Sequence, residues 1–125
     1  MSTITVTNIK ATGETASRAV SGVAAAWVNF DGQSTATIQD SNNIASLTDQ
    51  GTGQYQFAFT NNMGNVNFAL TSSTGNRDSS NAGVSRNSQM GSGAVGTFHY
   101  ECSNPANGSN EDVVAGYAVI HGDLA

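Results

Sequence analysis

The chain carries very little charge. Only 10% of its 125 residues are Asp, Glu, Lys or Arg, against roughly 25% in an ordinary soluble domain. Lysine occurs once, at Lys10, and the formal net charge is −5. A protein that binds nucleic acid needs a basic surface, which neutralises phosphates and releases counterions. We therefore expect no nucleic-acid partner.

Cysteine and long apolar runs are also scarce. The one cysteine, Cys102, excludes a disulfide within the chain and favours a buried structural thiol. No apolar run approaches the roughly 20 residues that span a membrane. Residues 1–3 do not open a signal peptide, which would begin with a charged region followed by an apolar one. The sequence therefore predicts a protein that is made in a cytoplasm and has no membrane partner.

Ser, Thr, Asn and Gly supply the polarity that charged residues do not. They favour turns and loops and are weak in helix interiors, so the composition predicts a β-rich protein with many loops. The length suits one domain with a modest core.

Strict alternation marks the clearest strands, because successive side chains of a strand point to opposite faces. Residues 55–59 place three aromatic rings on one face, and residues 95–102 alternate in the same way. Residues 113–121 are apolar enough to form a central closing strand, and residues 66–70 are predicted to form a hairpin with residues 55–59. With six to eight short strands at near-regular spacing, the chain is predicted to be all-β, either a sandwich or a barrel of antiparallel strands, and we favour the sandwich. The predicted architecture is a single small antiparallel β-sandwich, jelly-roll or Ig-like, with an N-terminal arm.

The N-terminal region shows a less regular strand pattern than the rest of the chain. Residues 3–9 alternate polar and apolar and predict an edge-like strand, and residues 8–18 predict a loop or an arm ordered by a neighbour. The Ala-rich residues 16–26 predict an extended segment, with a short helix as the alternative. We divide the chain into this strand, arm and Ala-rich segment at 1–25 and a β-sandwich domain at 26–125.

Residues 71–93 consist almost wholly of Ser, Asn, Gly and Thr. We interpret them as a long surface loop with a short strand near Val84, because recognisable strands lie on both sides. A disordered linker is the alternative.

Catalytic chemistry finds little support. His99 and Glu101 share a strand face and could bind a metal with His121, but alternating polar residues are usual on a half-exposed strand. Cys102 and His99 fall on opposite faces of one strand, so they are a poor nucleophile and base pair. We predict no enzyme activity, no cofactor and no metal.

Two segments carry a resemblance. Residues 26–32 read AWVNFDG, and residues 36–55 read ATIQDSNNIASLTDQGTGQY. Together they resemble a module of small structural proteins and tail-fibre ends in tailed bacteriophages, many of them from marine and cyanobacterial phages. The closing residues 116–123, GYAVIHGD, and the opening residues 3–9, TITVTNI, are similar to the strands at the two ends of that module.

The resemblance implies a non-enzymatic structural protein on the exterior of the virion, made in the host cytoplasm. It implies a homotrimer that contacts capsid or tail proteins. Because the chain has no repetitive shaft, a short fibre or appendage, or a capsid decoration, is favoured over a full-length tail fibre. The alternative is a carbohydrate- or receptor-binding β-sandwich module for host attachment, with a host surface glycan as its partner.

Two sets of residues are assigned to these contacts. The residues predicted for subunit or partner contact are Ile4, Val6, Ile9, Val20, Val23 and Trp27. The residues predicted for an exposed binding loop are Asn76, Arg77, Asp78, Asn81, Arg86 and Asn87.

Overall fold

The structure, a computed structural model, describes residues 2–9, 18–19, 23–75 and 87–125. Every regular element in these ranges is a β-strand. The ten strands are β1 (Asn8–Ile9), β2 (Arg18–Ala19), β3 (Ala24–Asp31), β4 (Thr37–Asn42), β5 (Ile44–Gly51), β6 (Gln54–Phe59), β7 (Ala69–Gly75), β8 (Asn87–Ala94), β9 (Thr97–Ser103) and β10 (Ala115–His121).

Eight of the strands form two four-stranded sheets, and β1 and β2 pair separately. The first sheet has the order β4-β3-β10-β7, and the second has the order β5-β6-β9-β8. All the paired neighbours are antiparallel, and the two sheets pack face to face. The predicted antiparallel β-sandwich is confirmed, and β10 lies inside its sheet as predicted.

The core follows from the alternation in the sequence. Every second residue of β6 and β9 is buried, so both strands turn their rings and Cys102 inward. Phe30 of the first sheet lies among three rings of the second, with ring centroids 5.0 Å from Tyr55, 4.9 Å from Phe57 and 5.1 Å from Tyr100. All three contacts are edge-on, a favoured arrangement for aromatic pairs.

Small residues on the first sheet make room for these rings. The inner face of β10 carries Gly116 and Ala118, and a Cβ atom added at Gly116 would lie 2.2 Å from Cε1 of Phe30. The aromatic layer of one sheet is therefore fitted to a layer of small side chains on the other.

A single residue, Asn43, carries the chain from β4 in the first sheet to β5 in the second. Its φ is 59°, a left-handed conformation that Asn tolerates better than most residues. Its Nδ2 donates to the carbonyls of Ala25 and Asn61, and its Oδ1 accepts from the backbone N–H of Asn61 at 2.7 Å. The side chain thus fixes the corner that the backbone makes.

The predicted hairpin between residues 55–59 and 66–70 is wrong. β6 pairs with β5 and β9, and β7 pairs with β10 in the other sheet. Between β6 and β7, Met63 N–H donates to Val95 O at 2.8 Å and Gly64 N–H donates to Asp123 O at 2.7 Å. These bonds tie the connection to distant parts of the chain, so it crosses the sandwich.

Other boundaries also differ from the predictions. Only residues 8 and 9 of the predicted strand 3–9 are in a strand, because residues 2–7 pair with no other part of the chain that the structure describes. The Ala-rich segment is extended where it is described, since β3 already begins at Ala24. The described parts of the predicted loop 71–93 are strands, because β7 continues to Gly75 and β8 begins at Asn87. Val84 lies outside the described residues.

Candidate functional site

Two of the glycines and the tyrosine of the segment 26–55 meet at one end of the sandwich. Gly32 follows β3, and its N–H donates to Val113 O at 2.8 Å. The Tyr55 hydroxyl of β6 lies 3.0 Å from Gly32 O and 3.2 Å from Asp112 Oδ1, and it accepts from Val113 N–H at 3.3 Å. We call this cluster of Gly32, Gly53, Tyr55, Asp112 and Val113 the end joint.

Two glycines of the end joint are required by close contacts. Gly53 has a φ of +66°, and an added Cβ would lie 2.5 Å from Cys102 O. Its N–H donates to Asp112 Oδ1 at 2.8 Å. At Gly32 an added Cβ would lie 2.2 Å from the Tyr55 hydroxyl oxygen. The spacing of glycines in the sequence therefore serves the packing of this joint.

Burial raises the pKa of the Tyr55 hydroxyl well above its ordinary value, and the nearby Asp112 carboxylate raises it further. Burial likewise raises the pKa of Tyr100, whose hydroxyl donates to Ser73 O at 2.9 Å. Both phenols stay protonated and hydrogen-bonded inside the sandwich. They link strands rather than presenting a reactive oxygen to a ligand.

Sequence reasoning missed Asp112. Its carboxylate joins the β5–β6 turn to the connection before β10, yet it lies 59 residues from Gly53 in the chain. No local pattern marks it, because an acidic residue after a Gly-bearing turn is ordinary.

The residues considered for a metal are not brought together. His99 and Glu101 lie on the outer face of the second sheet, opposite the buried Cys102. His121 is on β10 in the first sheet, next to the buried Ile120 and facing outward. Among the described residues, no three His, Cys, Asp or Glu side chains are grouped as metal ligands would be.

The outer face of the second sheet is a network of amides. Nε2 of Gln56 lies 3.0 Å from Nε2 of His99, and Gln50 Nε2 donates to Gln56 Oε1 at 3.4 Å. Gln89 Nε2 donates to Glu101 Oε2 at 3.0 Å. These side chains are already paired with one another across the strands, so this face is a polar surface of mutually bonded groups.

The outer face of the first sheet has a different character. Trp27 is half-buried between the inward residues Ala26 and Val28, and Tyr117 is 37% exposed. Trp27 pairs with Val119 and Tyr117 pairs with Asn29, so the two aromatic residues are diagonal neighbours on adjacent strands, about 7–8 Å apart. We call this set the Trp27–Tyr117 face.

Polar side chains border the Trp27–Tyr117 face on both sides. β4 places Asn42 beside Trp27 and Asp40 beside Asn29. β7 places Ser73 beside Tyr117. Sequence reasoning selected Trp27 but not Tyr117, because the apolar run of the closing strand does not reveal which residues face outward.

The N-terminal contact residues are exposed where they are described. Ile4 is 86% exposed, Val6 is 47% exposed and Val23 is 52% exposed. Ile9 belongs to β1, which pairs with β2. Val20 lies outside the described residues. From here the name arm denotes residues 2–7, which precede β1, and not the segment 8–18 that the sequence predicted as a loop or arm.

Most of the predicted binding loop also lies outside the described residues. This applies to Asn76, Arg77, Asp78, Asn81 and Arg86. Asn87 is the first residue of β8.

Comparison with protein-family models, with curated proteins and with solved structures gives no significant match to the chain. Within the described ranges no helix is long and apolar enough to span a membrane.

Proposed function

We propose that the protein is a non-enzymatic structural component on the exterior of a tailed-phage virion, either a short fibre or appendage or a capsid decoration. It acts by self-association, as a homotrimer, and by contact with capsid or tail proteins. The chemical basis is surface burial between subunits and backbone pairing between strands.

The observation that carries the proposal is the exposed arm. Ile4 and Val6 are separated by one residue and both project into solvent. Leaving such side chains in water forgoes about 25 cal/mol for each Å² of apolar surface that a partner would cover. Conspicuous apolar side chains on an extended terminal segment are typical of a contact made on assembly.

The end joint supports the same proposal. The residues that carry the resemblance to phage structural modules include Gly32, Gly53 and Tyr55, and all three serve strand packing at the end joint. These residues of the sequence pattern stabilise the fold. That role is expected in a structural protein, whose function depends on keeping a fixed shape.

The test is the composition of purified particles of the phage that encodes the chain. Mass spectrometry should find the protein in the particles, and cryo-electron microscopy should show copies of the sandwich on the exterior in groups of three. The matched control is the particle-free fraction of the same lysate. Absence from particles, or a monomer that turns over a small substrate, would contradict the proposal.

A second function, saccharide binding, is favoured by one observation. The Trp27–Tyr117 face combines two outward aromatic rings with amide, carboxylate and hydroxyl groups. Sugars bind such surfaces by stacking a ring face on an aromatic side chain while polar neighbours bond the hydroxyls.

A glycan array together with sedimentation separates the two functions. Saturable binding by a monomer, lost in Tyr117→Ala and retained in the Gln89→Ala control on the other sheet, favours the saccharide module. A trimer that binds no glycan favours assembly.

A further inference from the structure

One segment of the chain has the properties of a strand without a sheet. Residues 3–7 read TITVT, a strict alternation of β-branched residues with strong strand propensity. None of residues 2–7 makes a strand pairing, and Ile4 is the most exposed of the large apolar side chains in the described residues. An isolated strand is unstable in water, so this segment needs a sheet edge to pair with.

One flank of the sandwich is closed. The edge strands β7 and β8 face each other there, and Ser72 Oγ bonds Ser88 Oγ at 3.0 Å between the two sheets. The Tyr100 hydroxyl of β9 reaches across to Ser73 O of β7 at 2.9 Å. Side-chain bonds thus hold the sheets together along this flank.

The other flank, formed by edge strands β4 and β5, leaves the core partly uncovered. The partly buried apolar residues that pack against the core are Ala36, Ile38, Ile44, Leu47 and Leu70. All but Leu70 lie on β4 or β5 or next to them. We call Ile38, Ile44 and Leu47 the open seam.

The outer edge of β5 is available for pairing. β5 is the terminal strand of its sheet and pairs only with β6 among the described strands. Its inward residues Ile44 and Leu47 lie opposite Phe59 and Phe57. A strand added to this edge would lay alternate side chains over the open seam.

Charge favours the same pairing. The arm has no charged side chain and is followed in the sequence by Lys10, one of only four basic residues. Residues 37–51, which include both edge strands, contain Asp40 and Asp49 and no Lys or Arg. The acidic edges repel each other and so oppose direct edge-to-edge association, whereas they do not repel an uncharged segment that is followed in the sequence by a lysine.

We propose that the arm of one copy pairs with the edge of β5 in a second copy, so that Ile4 and Val6 cover the open seam. This inference rests on the proposed self-association and names the segment and the surface that carry it. Backbone hydrogen bonds to the free edge supply affinity, and the two apolar side chains set the register.

Cysteine cross-linking in trans tests the geometry. Ile4→Cys and Leu47→Cys proteins with tags of different size are purified separately, mixed and oxidised. We expect a disulfide-linked dimer that contains one copy of each. The control is Ile4→Cys mixed with Gln89→Cys, whose cysteine lies on the exposed outer face of the second sheet. The native Cys102 is fully buried and serves as the unreactive background.

Sedimentation velocity of the double variant Ile4→Ser/Val6→Ser tests the energetics without touching the sandwich core. We expect the wild-type chain to be oligomeric and the variant to dissociate at least about 10-fold more readily, a loss of about 1.4 kcal/mol. Its circular dichroism spectrum should remain that of the wild-type sandwich.

Three outcomes would overturn the inference: a wild-type chain that is monomeric, an oligomer unaffected by the double variant, or equal cross-linking at Leu47 and Gln89. A cross-link formed only within single copies, detected in the Ile4→Cys/Leu47→Cys double variant, would also overturn it. A monomeric wild-type chain would also contradict the proposed self-association. The other outcomes leave the proposed function open to its own test, because presence in the virion is measured on particles.

Discussion

Removing one oxygen atom from Tyr55 tests the account of the end joint. In Tyr55→Phe the ring keeps its edge-on contact with Phe30, at 5.0 Å between centroids, and only the hydroxyl is lost. That hydroxyl accepts from Val113 N–H at 3.3 Å and lies 3.0 Å from Gly32 O. Both backbone groups lose this partner in the interior.

The expected cost follows from those two groups. A buried polar group left without its partner costs about 1–3 kcal/mol. Because the bond from Val113 is long, we take the lower half of that range, about 1–2 kcal/mol for each group, and expect a loss of about 2–4 kcal/mol in the free energy of unfolding. This is a large share of the roughly 5–15 kcal/mol that stabilises a typical domain.

Urea denaturation followed by circular dichroism measures the loss. Two matched controls, both expected to lose less stability, accompany it. Tyr100→Phe removes a hydroxyl that donates to Ser73 O and also bonds the Ser88 side chain, both on edge strands, and should cost about 1 kcal/mol. Tyr117→Phe removes an exposed hydroxyl and should stay within about 0.5 kcal/mol of the wild type. A Tyr55→Phe variant no less stable than Tyr117→Phe would refute the role of the joint.

Three further predictions concern the sandwich. Folding raises the pKa of Tyr55 and Tyr100 above the value of about 10 that a tyrosine has in the unfolded chain. The protein therefore keeps its full stability below about pH 10. Above that pH, the free energy of unfolding should fall by about 1.4 kcal/mol per pH unit for each of the two tyrosines. Urea titrations at several alkaline pH values measure this, and the slope should shrink in Tyr100→Phe. At the corner, Asn43→Ala should destabilise the protein by about 1–2 kcal/mol more than Asn43→Gly, because only glycine adopts the φ of 59° without strain; equal losses in thermal melts would contradict this. Gly116→Ala should cost about 1–3 kcal/mol by overpacking against Phe30, and a Phe30→Leu background should reduce that cost in a double-mutant cycle.

The sequence predicted the faces of strands better than their partners. The alternation in β6 and β9 identified the inward rings correctly, because the period of a strand is two and the core accepts only one face. The same alternation in residues 66–70 led to a wrong hairpin, since Val66 is 55% exposed and only residues 69 and 70 belong to β7. Periodicity says which side chains share a face and does not say which strand lies alongside.

The candidate contacts divide in the same way. Ile4 and Val6 could be selected from the sequence because apolar residues alternate with threonine outside the main run of strands. Tyr117 and Asp112 could not be selected. The outward position of Tyr117 depends on the register of β10 against β3, and the role of Asp112 depends on a contact with Gly53 across the fold.

The one-residue corner at Asn43 couples the alignment of one sheet to that of the other. Since β4 and β5 are joined without slack, a two-residue slip of β4 along β3 would drag β5 by about 7 Å. Leu47 would then leave its position opposite Phe57. A misaligned first sheet therefore cannot coexist with a well-packed second sheet. The short corner makes correct pairing of β4 with β3 a condition for correct packing of β5 against the core.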